Sequence, residues 1–147
     1  TLPTTGTLAT LAGSESLTNK TLTDAVNTVS TPTTTSVGYL GIPQNSQSTA
    51  YTCVLSDAGK HILHPSADTT ARIFTIPANA SVAYPIGTSL SFINQNAGGV
   101  ITIAITTDTM RLAGAGTTGS RTLAANGMAT AVKVTSTEWI INGVGLT

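Results

Sequence analysis

Between Ile73 and Thr106, apolar and hydroxyl-bearing residues alternate with a period of two. The run reads Ile73-Phe-Thr-Ile-Pro-Ala-Asn-Ala-Ser-Val-Ala-Tyr-Pro-Ile-Gly-Thr-Ser-Leu-Ser-Phe-Ile-Asn94, then Val100-Ile-Thr-Ile-Ala-Ile-Thr106. Successive side chains of a strand point to opposite faces, so this pattern buries one face and wets the other. Gly, Asn and Pro interrupt the runs at short intervals, the signature of antiparallel strands joined by tight turns. No comparable helical stripe accompanies them. The sequence therefore predicts an all-β body over residues 49–147, an antiparallel β-sandwich or jelly roll. Residues 1–48 read as an extended Thr-rich N-terminal arm.

Along the body, Tyr51, Cys53 and Leu55 are expected on one face of a first strand, followed by a turn from Ser56 to Lys60. His61–His64 and Ala71–Ile76 are the next strands, the latter stopped by Pro77, which cannot donate to a ladder. Thr88–Asn94 and Val100–Thr106 are expected to form a hairpin. Thr109–Leu112 is a short strand, followed by a flexible Gly/Thr loop from Ala113 to Ser120. Asn126-Gly127 is a strong hairpin signal between Arg121–Ala125 and Met128–Thr135. Glu138–Asn142 closes the sheet with Trp139 and Ile141 on one face. No clear internal repeat is present. In the arm, Ser14 could cap a helical turn, but the Thr-rich continuation and Pro32 and Pro43 favour extended chain. A segment this poor in large apolar residues does not offset its own ordering entropy, and should be ordered only against another surface.

Charge narrows the function classes. Only 8 % of the residues are charged and the formal net charge is zero, against about a quarter charged in an ordinary soluble domain. Such a surface suits a chain packed against other protein. The six basic residues, Lys20, Lys60, Arg72, Arg111, Arg121 and Lys133, are scattered singly, which does not suit nucleic-acid binding. No long apolar run predicts a membrane span. One cysteine permits no intrachain disulfide and leaves the redox compartment open. The start at Thr1 lacks a signal-peptide pattern. Either removal of an initiator Met or cleavage from a longer chain would account for it.

No catalytic, cofactor-binding or metal site is predicted, and the chain is read as a non-enzyme. Cys53, His61 and His64 are the candidates for a nucleophile and base. Cys53 falls mid-strand on an apolar face and reads as a small buried hydrophobe. His61 and His64 are three apart on a strand, so they point to opposite faces and cannot share a metal there. The carboxylates Glu15, Asp24, Asp57, Asp68, Asp108 and Glu138 do not cluster, and no aromatic-rich platform for sugar accompanies them. Asp57 and Asp68 read as turn residues that bond nearby backbone N–H groups. Gly114, Gly116 and Gly119 lack the lysine of a phosphate loop. Asn79-Ala-Ser81 matches a glycosylation sequon.

Several stretches, in order, resemble a β-module of tailed-bacteriophage virion proteins. They are Tyr51-Thr-Cys-Val-Leu-Ser-Asp-Ala-Gly-Lys60, Phe74-Thr-Ile-Pro-Ala-Asn-Ala-Ser-Val-Ala-Tyr-Pro-Ile-Gly-Thr88, Gly99-Val-Ile-Thr-Ile-Ala104 and Glu138-Trp-Ile-Ile-Asn-Gly143. Ser16-Leu-Thr-Asn-Lys-Thr-Leu-Thr23 is similar to a linker of phage fibre proteins. The resemblance spans about two thirds of the chain and carries over no catalytic residue. It implies a capsid cement or decoration protein that binds the major capsid protein lattice on the outer capsid surface, assembled in the host bacterial cytoplasm. The alternative is a tail-fibre or spike segment that binds tail proteins and a host receptor. A fibre normally has a long N-terminal attachment region, and the shortness of this chain favours the cement expectation. Self-association as a dimer or trimer is expected in either case.

Overall fold

The computed structural model describes residues 41–95 and 97–147. The predicted arm up to residue 40 lies outside the described residues. Among the described residues nine strands form one sheet: β1 (Gln44–Ser46), β2 (Tyr51–Thr52), β3 (His61–His64), β4 (Arg72–Ile76), β5 (Ser89–Asn94), β6 (Ile101–Ile105), β7 (Thr109–Leu112), β8 (Arg121–Lys133) and β9 (Glu138–Leu146). The described residues contain no α-helix, only a 3-10 turn at Leu55–Asp57. The sheet includes Gln44–Ser46, which the sequence assigned to the arm.

The sheet is mixed, which corrects the expectation of antiparallel pairing. Its order is β1-β3-β5-β8-β6-β4-β2, with β9 on β8 and β7 on β9. Odd-numbered strands up to β5 form one parallel arm, and even-numbered strands up to β6 form the other. The chain thus crosses from one arm to the other at each step and lays every new strand parallel to the one two before it. The expected hairpin of Thr88–Asn94 with Val100–Thr106 does not form, because β5 pairs with β3 and β8, and β6 with β4 and β8. β8 joins the arms. Its first three residues pair with β6 and its second half with β5.

Asn126-Gly127 lies inside β8 as an irregularity and not as a hairpin turn, a second correction. The register against β9 shifts between Leu123 and Met128, and Asn126 has φ 57°. Asn tolerates this left-handed conformation better than most residues. The irregularity redirects β8 from one arm to the other, the kind of bend that bulges provide.

Alternation sets the core. Ile62, Phe74, Ile76, Leu90, Phe92, Ile101, Ile103, Met110, Leu123, Trp139 and Ile141 meet in one buried cluster that draws on both arms. Cys53 joins it, whereas Leu55 stands in the 3-10 turn with 54 % exposure. The expected shared face of Tyr51, Cys53 and Leu55 is broken because the chain turns directly after Val54. Trp139 packs edge-on against Tyr84, ring centroids 5.6 Å apart.

Two carboxylates pin successive crossovers of the winding. Between β2 and β3, Asp57 accepts from Asn45 Nδ2 at 2.9 Å, Tyr51 OH at 2.7 Å and the Val54 N–H at 2.8 Å. Between β3 and β4, Asp68 accepts from Arg72 Nε at 2.6 Å, Arg72 Nη2 at 3.0 Å and the Thr70 N–H at 3.2 Å. Both therefore bond nearby backbone N–H groups, and both also gather side chains, Asn45 and Tyr51 for Asp57 and Arg72 for Asp68.

Candidate functional site

The ladder registers fix which side chains share the outer face of β1, β3, β5, β8 and β9. One row runs Gln44, His61, Ser91, Thr130, Asn142. The row beside it runs Ser46, Leu63, Ile93, Met128, Val144. On the other side lie Ser89, Val132, Ile140 and, from β7, Arg111. A polar row is thus flanked by one largely apolar row and one mixed row. Within the polar row Ser91 Oγ and Thr130 Oγ1 share a 2.9 Å hydrogen bond, and His61 Nε2 lies 3.2 Å from Gln44 Oε1.

Exposure marks the apolar side chains of the flanking rows as unusual. Val144 is 82 % exposed and Met128 49 %, with Val132 and Ile140 exposed beside them. Met128, Thr130, Val132, Ile140, Asn142 and Val144 line a shallow concavity of about 460 Å³ on this face. The three rows contain no carboxylate and no lysine. Arg111 stands at the rim, where its Nε donates to Glu138 Oε1 at 2.8 Å. Exposed apolar residues that adjoin one another on a polar-rimmed face are a mark of association surfaces.

The fold buries Cys53 and puts the two base candidates, His61 and His64, on opposite faces of β3. Cys53 is buried, and burial pushes its thiol up to about 12, so it stays a protonated core side chain. His61 faces outward in the polar row, and His64 faces the core with no exposed surface. His64 Nδ1 lies 3.0 Å from Asn94 Oδ1, and its Nε2 lies 3.0 Å from Asp68 Oδ2. Asn94 Nδ2 donates to Gly99 O at 2.8 Å, Ala124 O at 3.1 Å and Leu123 O at 3.3 Å. That places the amide oxygen toward His64, so Nδ1 is the donor. His64, Asn94, Asp68 and Arg72 thereby tie β3, β4, β5 and the irregular part of β8 together. The Arg72 guanidinium holds the Asp68 carboxyl well below the usual range.

Asp108 accepts the Asn79 N–H at 3.0 Å. Glu15 and Asp24 lie outside the described residues. Among the described residues no three His, Cys, Asp or Glu side chains come together as metal ligands. Gly114, Gly116 and Gly119 all have positive φ, and their loop folds back on β7 through Gly116 N to Leu112 O and Gly119 N to Met110 O. Arg121 Nη2 bonds Thr117 O in the same loop. The sequence did not single out Asn94 or the buried Lys133. Neither residue stands in a recognisable motif, and only the strand parity of Lys133 hints that it faces inward.

No protein-family model matches the chain, and no curated protein matches it.

Proposed function

We propose that this protein is a non-enzymatic structural component of a tailed-phage virion, a capsid cement or decoration protein that binds the major capsid protein lattice and stabilises the head. The sparsely charged, partly apolar outer face of β5, β8 and β9 carries the reading. A free monomer gains nothing by exposing Val144, Met128, Val132 and Ile140 side by side, whereas a shell protein gains buried area at each joint. The composition points the same way, since low charge removes the repulsion that keeps copies apart. The resemblance of the Asp-Ala-Gly-Lys turn, the Thr-Ile-Pro strand end and the final Trp strand to phage virion modules supplies the setting. In this proposal the two arms of the curled sheet act as the layers of a sandwich-like body, and the body self-associates.

Copy number tests it. Densitometry of purified virions should give hundreds of copies per particle, in step with the major capsid protein. Tens of copies would overturn the cement assignment in favour of a tail-fibre or spike segment. Absence from purified virions would overturn both.

A further inference from the structure

Lys133 is 1 % exposed. Its backbone is fixed on both sides: its N–H donates to Thr88 O at 2.9 Å and its carbonyl accepts from Gly87 N at 2.8 Å. Nζ lies 5.7 Å from the centroid of the Trp139 ring. Its one hydrogen-bond acceptor among the described residues is Asn79 Oδ1, at 2.6 Å. An ammonium has three donors, and burying one against a single neutral acceptor is costly. Asn79 is itself held by the bond from its N–H to Asp108 Oδ2, 3.0 Å long. An amine from the end of β8 and a carboxamide from the β4–β5 connection thus meet beside an aromatic wall, and a carboxylate from the β6–β7 turn bonds the main chain of the same asparagine.

We propose that Lys133 and Asn79 become joined after folding by an intramolecular isopeptide bond, with Asp108 carrying the protons. The 2.6 Å contact of Nζ with Oδ1 leaves Cγ roughly 3–4 Å from Nζ, close to a near-attack arrangement. The Lys133 ammonium gives one proton to the Asp108 carboxylate through one water. The Nζ lone pair then adds to Asn79 Cγ, forming a tetrahedral intermediate. A second proton passes from Nζ to the side-chain nitrogen of Asn79, and the bond from Cγ to that nitrogen breaks. Ammonia leaves and takes the proton from Asp108, so ammonium is released and the carboxylate is restored. No oxidant or further reactant is needed. The product replaces a poorly solvated buried charge with a neutral amide. It also closes the chain between residues 79 and 133, as a disulfide would, tying the β4–β5 connection to the end of β8. This inference stands on the buried cluster alone and is independent of the virion assignment.

Intact mass decides it. The full-length folded protein, denatured just before measurement, should weigh about 17 Da less than its sequence mass, the loss of one ammonia. Trypsin should leave Lys133 uncleaved, in a branched product that joins the peptide Ile73–Arg111 to the one beginning at Thr122. Asn79→Ala and Lys133→Met should each show their full sequence masses. Asp108→Asn should form the bond many times more slowly. Wild-type protein at its full sequence mass after days in the folded state would overturn the proposal, whatever the variants do. So would a mass deficit that persists in Asn79→Ala, and an unchanged rate in Asp108→Asn would remove Asp108 from the chemistry.

Discussion

Trp139 has no exposed surface, and its ring meets Tyr84 edge-on while Lys133 lies over it. Truncating a buried aromatic removes its transfer free energy and leaves a cavity. Trp139→Ala should therefore cost about 3–5 kcal/mol, read as a lowered thermal midpoint. An unchanged midpoint would show that the last strand does not anchor the core. Asp68 makes a different kind of contribution. Its carboxyl titrates below its ordinary value of 3.8, chiefly because Arg72 bonds the ionised form. A carboxyl lowered in the folded state adds stability that is complete above its unfolded value. That stability is lost as pH falls through the folded value. The advantage of wild type over Asp68→Asn should then be constant near neutrality and shrink from about pH 4 downward. Melting both proteins across that range checks this, and a difference that ignores pH would mean the pairing with Arg72 contributes nothing.

At the scale of elements, β8 decides the topology, because it alone pairs with both arms and with β9. Its irregular stretch leaves no room for a side chain at residue 127. A Cβ on Gly127 would lie 2.8 Å from Ala124 O and 3.0 Å from Val144 O, both backbone atoms. Gly127→Ala should destabilise the fold by about 1–3 kcal/mol, measured by denaturant unfolding with an unchanged slope. A neutral effect would show that the bend is slack. This stretch also shows where the sequence was readable and where it was not. Alternation located β3, β4, β5, β6 and β7 to within a residue or so, since strand period and burial are local properties. Asn126-Gly127 was read as a hairpin turn, but Asn126 takes its positive φ inside a strand, because the same preference serves a hairpin turn and an irregularity within β8. Parallel pairing was invisible. Nothing in the local pattern of Arg72–Ile76 says that its neighbour is Ile101–Ile105. The outer face was equally hidden, because Met128 and Val144 become neighbours only through the register of β8 with β9.

On the scale of the whole molecule, the described body supplies its own core and its own ladders from Gln44 onward. Phe74, Phe92 and Trp139 are buried members of that core. Those forty residues have a different chemical character. Thr and Ser dominate them, and single apolar residues recur at Leu2, Leu8, Leu11, Leu17, Leu22 and Val26. Such spacing suits a chain whose apolar side chains each fill a shallow pocket on a neighbouring subunit, with backbone groups paired along an exposed sheet edge. Ordering a segment of this kind costs entropy, so its binding should need a preassembled surface. The outer face of the body and the N-terminal segment would then attach in concert, two contacts on one chain gaining from the high effective concentration of the second once the first is made. Deleting residues 1–40 should leave a folded body by circular dichroism and a nearly unchanged melting midpoint. Its incorporation should fall at least tenfold when it is added to particles that lack the protein, with bound copies counted against full-length chain. Equal occupancy would assign attachment to the outer face alone, and loss of folding would show that the segment belongs to the body.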